Sequence, residues 1–188
     1  VWEVIDAAST KPFGYMPFYP GPGFGGHCIP IDPFYLTWRA EKVGEKTRFI
    51  ELAGEVNTNM PLRVVNTLEK NNFEHSGKAL KDSSILILGV AYKKNIDDTR
   101  ESPAFRIMQL LEERGAKVGY YDPFVPIIKI TRDYSVFAGR KSIEWSVKLI
   151  AKFDVVLICT DHDDVDYEAV AQNARLIVDT RNVLKNMK

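Results

Sequence analysis

From Ser83 onward the sequence alternates short apolar runs with amphipathic segments, and this alternation constrains the fold more than any other feature. The apolar runs predict strands at 85–88, 117–121, 155–159 and 176–178. The segments between them predict helices at 103–114, 142–151 and 167–172. Continuous apolar strands that alternate with helices are typical of a parallel sheet covered on both faces. This part of the chain is therefore predicted to be a Rossmann-like α/β domain.

The first part of the chain has a different pattern, with helices predicted at 1–8, 32–43 and 47–71. Residues 11–31 are irregular but aromatic, and we expect them to be packed. The third helix is long and has little sequence to cover it, which predicts a subunit interface, and Pro61 should bend or divide it. We place the domain boundary at Gly77. A central helical dimerisation segment then occupies 1–77 and the α/β domain 78–188.

Composition excludes several classes of partner. The 25 basic and 25 acidic residues cancel, which argues against a nucleic-acid or anionic-membrane partner. No apolar run approaches the roughly 20 residues that span a bilayer. Two cysteines are too few for a disulfide framework and predict a reducing cytoplasm. The chain opens on VWEVIDAA without an initiator Met, so we expect it to be a piece of a longer protein.

Cations and polar side chains follow the predicted strands, where open parallel α/β sheets bind their ligands. GVAYKKNIDDTR follows the first strand, TDHDD the third and DTRN the fourth. On a chain of zero net charge, the cations Lys93, Lys94, Arg100 and Arg181 suit a phosphorylated ligand. The alternative is that these residues are solvated loop charges.

A glycine-rich segment precedes Cys28. Residues 21–26 formally satisfy G-x-G-x-x-G, but no strand precedes them, so a dinucleotide fingerprint is not predicted. The glycines allow backbone N–H groups to approach a ligand closely. Cys28 lies just ahead of a helix predicted to begin with Asp32 as its N-cap, a position that favours a reactive thiolate. Cys159, in an apolar strand, is predicted to be a buried hydrophobe.

Two acidic clusters suggest other functions. His162 stands among Asp161, Asp163 and Asp164, but the cluster lacks the spacing of metal ligands, and we predict no metal site. A receiver-like signalling domain would use acidic residues at strand ends such as Asp122. The paired carboxylates that such a domain needs after the first strand are missing.

Three motifs, in order, carry a family resemblance: PGPGFGGHCIPIDPFYL, GVAYKKNIDDTRESPA and VDTRNV. They resemble the UDP-glucose/GDP-mannose dehydrogenase family over essentially the whole chain. The variant TKPFGYMPFYPGPGFGGHCIP is most similar to members that oxidise UDP-N-acetylhexosamines for bacterial or archaeal surface polysaccharides. The resemblance implies a four-electron oxidation of the sugar C6 alcohol to a carboxylate, with two NAD⁺ used in succession.

The resemblance also assigns roles to single residues. Cys28 matches the family nucleophile, which forms a thiohemiacetal and then a thioester, and Asp32 matches an aspartate that helps to activate water or tune the thiol. Arg100 matches an arginine on the NAD side, and Lys11 is the nearest candidate for a basic residue donated to the neighbouring subunit. The residues matching those that hold the sugar nucleotide are Tyr19, Pro20, Gly21, Gly23, Phe24, Gly25, Tyr92, Lys93 and Arg181.

Parts of the family pattern have no counterpart in these 188 residues. These parts are the N-terminal Rossmann domain, which binds most of the NAD, and a catalytic lysine and asparagine. We therefore expect this chain alone to bind UDP-sugars weakly and to show no dehydrogenase activity. A homodimer or larger assembly through the long helix is expected. The alternative is a non-catalytic nucleotide-sugar-binding module in which Cys28 is incidental.

Overall fold

A computed structural model describes residues 1–187, and its second half is built on one parallel sheet. The strands are β1 (Ser84–Leu88), β2 (Lys117–Tyr121), β3 (Val155–Ile158) and β4 (Ile177–Asp179), in the spatial order β2-β1-β3-β4. The helices are α1 (Trp2–Ser9), α2 (Cys28–Glu41), α3 (Arg48–Ser76), α4 (Pro103–Glu113), α5 (Val147–Ile150) and α6 (Tyr167–Asn173). Short 3-10 turns lie at Leu80–Asp82 and Ser135–Phe137.

The sheet separates two apolar cores, because successive side chains of a strand point to opposite faces. Ile85 and Ile87 of β1 join a core with α3 and α4. Leu86 and Leu88 join a second core with α5 and α6. All four side chains are fully buried. The prediction of a Rossmann-like parallel sheet with helices on both faces is therefore confirmed.

The long loop between α1 and α2 differs from the prediction. Residues 11–20 are all exposed, and Phe13 and Phe18 each retain 75% of their surface. The expectation that the aromatics pack was therefore wrong for Phe13 and Phe18, whereas Tyr19 packs on Trp2 of α1. At Gly21, Gly23, Gly25 and Gly26 the loop packs closely against the α/β part. None of the helices within residues 1–187 is long and apolar enough to cross a membrane.

Helix α2 begins four residues earlier than predicted, at Cys28. Asp32 is therefore inside the helix and is not its N-cap, which is His27 without a side-chain hydrogen bond. The N–H that Pro30 lacks is among those that a first turn leaves unpaired anyway, and the fixed φ of proline is helical. Pro33 then costs one backbone hydrogen bond inside α2.

Helix α3 runs unbroken through Pro61, so of the two predicted effects, a bend or a division, the division is excluded. Pro61 is buried, and packing of the helix against its neighbours outweighs the roughly 3 kcal/mol that an interior proline costs. The helix also runs five residues beyond its predicted end, to Ser76. Gly77 caps it with a left-handed φ of 69°. Its second half packs in the first core, while the division into domains at Gly77 stays a prediction.

The helix predicted at 142–151 is reduced to the four residues of α5. The segment before it is extended because it pairs with the end of β2. Ser142 donates its N–H to Pro126, and Ile143 donates to the carbonyl of Tyr120 at 2.9 Å. Trp145 packs on Tyr121 with ring centroids 4.8 Å apart. These contacts to distant residues override the local preference for a helix.

Candidate functional site

The loops that follow β1, β3 and β4 meet at one edge of the sheet. Leu88 pairs with Ile158, and Ile158 pairs with Asp179, so the three strands end level with one another. The chain leaves β1 toward β2 on one side and returns to β3 on the other. The carboxyl ends of β1 and β3 therefore flank a topological switch point, where open α/β sheets bind ligands.

Arg181 follows β4, and its guanidinium group is held at Nε while its two Nη groups stay free within the described part of the chain. Its Nε donates to Asp161 Oδ1 at 3.0 Å, and its backbone N–H donates to Asp179 Oδ1 at 2.8 Å. The Nη groups make no hydrogen bond to the described chain, and Nη1 lies so close to Gly21 that a Cβ there would be 2.5 Å away. Lys93, exposed after β1, makes no ion pair within residues 1–187. These two cations are thus available to an anion.

A cleft of about 730 Å³ lies between α1, the loop before Gly21 and the ends of β1, β3 and β4. Tyr19 forms part of its wall, stacked on Trp2 at 5.4 Å and donating its hydroxyl to Asp6 at 2.8 Å. Aromatic faces and cations together suit a base and its phosphates. The residues lining the cleft are Trp2, Pro17, Phe18, Tyr19, Pro20, Lys93, Asp161, Arg181, Asn182, Val183, Lys185 and Asn186.

The glycine-rich segment docks against the loop after β1, and its glycines are needed for close contact. A Cβ on Gly25 would lie 2.5 Å from the carbonyl oxygen of Glu101 and 2.7 Å from Cβ of Tyr92. Gly26 donates its N–H to the carbonyl of Arg100 at 2.9 Å and lies under the Tyr92 ring. The structure therefore brings Gly25 and Tyr92 together, as the two predicted binding motifs require.

A second groove, of about 620 Å³, runs between this glycine-rich segment and α3 and reaches Arg181. The backbone N–H of Phe24 donates to Asn57 Oδ1 of α3 at 2.9 Å, which holds the segment on the helix. The predicted binding residues in this groove are Tyr19, Pro20, Gly21, Gly23, Phe24 and Arg181. Most of the predicted sugar-nucleotide contacts thus face two adjoining cavities.

Cys28 and Asp32 are separated from these cavities. Both side chains are exposed on α2, and their spacing of four residues places them on one helical face. Cys28 is the first residue of α2, where the helix dipole favours negative charge. Neither residue lines the two clefts above nor a third cleft of about 550 Å³ that includes His27 and Arg100. Their catalytic roles stay predictions.

Arg100 is already engaged by a neighbouring carboxylate. Its Nε and Nη2 donate to Asp98 at 3.0 and 2.7 Å, and the Asp98 carboxylate raises the pKa of Arg100 further above its ordinary value. Its Nη1 has no hydrogen-bond partner in the described part of the chain and can contact a phosphate. Lys11 is exposed in the loop after α1 and lies over Phe13, away from these clefts.

Sequence reasoning missed the cleft residues that come from distant parts of the chain. Trp2 and Lys185 line the cleft but lie in the first helix and near the end of the described chain. No local motif marks them. Asp161 could have been found as the partner of Arg181, because both follow neighbouring strands.

The two acidic clusters considered in the sequence follow β2 and β3. Asp122 and His162 are buried and hydrogen-bonded to each other at 3.1 Å, so Asp122 is not open as a receiver aspartate would be. Residues 1–187 contain no group of three or more His, Cys, Asp or Glu side chains arranged to hold a metal. Cys159 is 2% exposed, and burial raises the pKa of its thiol to about 12.

Family models match both parts of the chain. Residues 86–186 match the UDP-binding domain of the UDP-glucose/GDP-mannose dehydrogenase family. Residues 1–59 match the central domain of the same family. The first match alone covers more than half of the 188 residues.

Individual relatives agree with this match. A UDP-N-acetyl-D-mannosamine dehydrogenase of Methanococcus maripaludis is 32% identical over an alignment of length 194, which covers 99% of this chain and 41% of the relative. An NDP-N-acetyl-D-galactosaminuronic acid dehydrogenase of Ralstonia nicotianae is 29% identical, and the match covers 97% of this chain and 40% of the relative. The solved structure of a UDP-D-ManNAc dehydrogenase from Pyrococcus horikoshii superposes with a TM-score of 0.79 at 30% identity, covering 98% of this chain and 41% of that one. The chain thus spans about two fifths of the length of these relatives.

Proposed function

This chain belongs to the UDP-glucose/GDP-mannose dehydrogenase family, and from that premise we propose that it forms the part of an NAD-dependent nucleotide-sugar dehydrogenase that binds a UDP-sugar. One observation carries the proposal: Lys93 and Arg181 line the same cleft at the carboxyl ends of the strands, and Arg181 also contacts Gly21 of the glycine-rich segment. Within residues 1–187 Lys93 makes no ion pair, and the Nη groups of Arg181 make no hydrogen bond. A UDP-N-acetylhexosamine is the proposed substrate, because relatives named UDP-N-acetyl-D-mannosamine dehydrogenase align over up to 99% of the length of this chain.

In this proposal Arg181 and Lys93 hold the diphosphate. Asp161 holds Nε of Arg181, so its two Nη groups are left to donate to phosphate. Lys93, in the loop after β1, adds a second positive charge. Tyr19 offers an aromatic face. The glycines Gly21, Gly23 and Gly25 bring backbone N–H groups near the ligand. Tyr92 lies over Gly26 and borders the same segment, where it contacts the sugar.

Cys28 and Asp32 carry the covalent chemistry in this proposal. When bound, NAD⁺ supplies the oxidising power by accepting a hydride in each of two steps. The Cys28 thiolate attacks the C6 aldehyde, and its sulfur keeps the carbon as a thiohemiacetal and, after the second oxidation, as a thioester. Asp32, one helical turn away, assists the water that releases the carboxylate and returns the thiol.

The residues of this chain fit only a minor part of an NAD site. Residues 21–26 pack on Arg100 and Glu101 and do not open a helix after a strand, so they are not a dinucleotide fingerprint. Arg100 fits a contact to one cofactor phosphate through its Nη1. NAD is therefore held mainly by residues outside this chain. The chain alone should give no NADH with any UDP-sugar, and absorbance at the NADH band checks this.

Calorimetric titration with UDP tests the binding site. The chain should bind UDP weakly, and Arg181→Ala should reduce the affinity at least about tenfold, since charge-assisted hydrogen bonds are worth about 1.5–3 kcal/mol. Arg175→Ala is the matched control, because Arg175 is exposed and pairs with Asp154 away from the cleft. Equal UDP affinity in wild type and Arg181→Ala, or no binding at millimolar UDP, would contradict the proposal.

A non-catalytic nucleotide-sugar-binding module is the second candidate, and one observation favours it. Cys28 and Asp32 line none of the three clefts described above. In that case UDP binding depends on Arg181 as before, but a bound UDP-sugar does not change the alkylation rate of the Cys28 thiol.

Self-association through α3 completes the proposal. Phe49, Leu52 and Val56 expose 89%, 56% and 54% of their surface on its first half. Burying such a face against a second copy removes apolar surface from water. Light scattering should find a dimer or larger species for wild type and for Arg48→Asp, and a monomer for Phe49→Asp. A wild-type monomer at micromolar concentration would contradict the association.

A further inference from the structure

A buried acid–histidine pair lies directly beneath the loop that carries Tyr92 and Lys93. Asp122 follows β2 and is 2% exposed, while His162 follows β3 and is completely buried. Their side chains are joined by a hydrogen bond of 3.1 Å between His162 Nε2 and Asp122 Oδ2. None of the binding roles proposed above uses this pair.

The pair holds the β1 loop, defined here as residues 89–95, at both of its ends. At the first end, Asp122 Oδ2 accepts from the N–H groups of Val90 at 2.7 Å and Ala91 at 3.0 Å. At the other end, the N–H of Asn95 donates to His162 Nδ1 at 2.9 Å. Lys93 lies between these two attachments, so its position on the cleft depends on both.

These contacts fix the form of the histidine. Because Nδ1 accepts from Asn95, it carries no proton, and the proton on Nε2 is donated to Asp122. Burial alone would raise the pKa of Asp122, but the hydrogen bonds from His162 and from the amides of Val90 and Ala91 outweigh it and lower that pKa. Every polar atom of the pair thus has a defined partner, which gives the β1 loop one arrangement.

We propose that His162 is a positioning residue: through its bonds to Asn95 and Asp122 it sets the β1 loop, and through that loop it sets Lys93 for the ligand diphosphate. The effect on binding rests on the proposed function. The effect on the loop does not. His162 does not face the ligand, since its side chain is buried and both ring nitrogens are occupied by the protein.

The first experiment measures the loop without any ligand. In His162→Leu, amide hydrogen exchange of Val90, Ala91 and Asn95, whose N–H groups are bonded to the pair, should be at least about tenfold faster than in wild type, because local opening governs exchange of such amides. His162→Gln keeps one donor and one acceptor and should restore protection. Asn72→Leu is the matched control: it removes a buried polar side chain bonded to Lys78 and Ser83 at the amino end of β1. It should leave the amides of Val90, Ala91 and Asn95 protected. Unchanged exchange in His162→Leu overturns the proposal.

The second experiment is a double-mutant cycle on UDP affinity. Lys93→Ala and His162→Leu should each weaken UDP binding about tenfold, and the double variant should be no weaker than Lys93→Ala, since a residue acting through another gives non-additive losses. Losses that multiply in the double variant overturn the positioning role. If Lys93→Ala leaves UDP affinity unchanged, the proposed binding site fails, and the exchange experiment still decides whether His162 sets the loop.

Discussion

Gly25→Ala tests the docking of the glycine-rich segment by adding a single methyl group. The added Cβ would lie 2.5 Å from the carbonyl oxygen of Glu101, where ordinary contacts begin at 3.4 Å. Because the nearest atoms are the backbone of Glu101 and the Cβ of Tyr92, neither of which is the free end of a flexible side chain, the segment must withdraw from both residues. Overpacking of this kind costs about 1–3 kcal/mol, which corresponds to roughly a 5- to 150-fold loss of UDP affinity.

The fold should survive this substitution. The two cores contain no residue before Val64, so withdrawal of the segment leaves them intact. Calorimetry should therefore show weaker UDP binding, while urea denaturation gives a free energy of unfolding within about 0.5 kcal/mol of wild type. Gly14→Ala is the control: Gly14 lies in the same loop and has no neighbour within 4 Å, so its added Cβ meets no atom, although its φ of 72°, unlike the φ of Gly25, is left-handed. Wild-type UDP affinity in Gly25→Ala would refute the reasoning.

Two further predictions concern stability and access. Asp154 accepts from Ser84 N at 2.9 Å and from Lys78 Nζ at 2.7 Å, and although burial alone would raise its pKa, these bonds lower it. Asp154→Asn should cost about 1–3 kcal/mol in urea denaturation at pH 7. Because the pKa of Asp154 is lower in the folded than in the unfolded chain, its carboxylate stabilises the fold above the unfolded pKa and loses this effect as pH falls below about 4. The difference in unfolding free energy between wild type and Asp154→Asn should therefore disappear at low pH. A difference independent of pH would exclude this carboxylate as its source. Iodoacetamide should label Cys159 only as the chain unfolds, since the thiol is 2% exposed and burial raises its pKa to about 12; labelling under native conditions faster than unfolding would contradict this.

The sheet could be predicted because its signal is local. The strands are short runs of three to five mostly apolar residues, and runs such as Ile85–Leu88 are buried on both faces in the structure. The convergence of Lys93 and Arg181 followed from one rule, that parallel strands end at the same edge. The order of the strands, β2-β1-β3-β4, was not predicted from the sequence and comes from the structure.

The remaining features depend on contacts between distant residues. The extended segment before α5 is set by Tyr120 and Pro126, which no local periodicity reveals. The place of Trp2 in the cleft likewise requires α1 to lie against Tyr19. The start of α2 was wrong for a different reason. Asp32-Pro33 has the pattern of an N-cap and a first helical residue, but the helix already begins at Cys28 and holds Pro30 in its first turn.

The rate at which iodoacetamide alkylates Cys28 tests the central claim most directly, because it joins the UDP-sugar site to the nucleophile. We expect Cys28 to react near neutral pH, UDP-N-acetylmannosamine to slow the reaction more than UDP alone, and Arg181→Ala to remove this protection. Cys28→Ser should eliminate the native labelling and serves as the control. An alkylation rate that is the same with and without saturating UDP-sugar would contradict the claim that Cys28 acts on a sugar bound at this site.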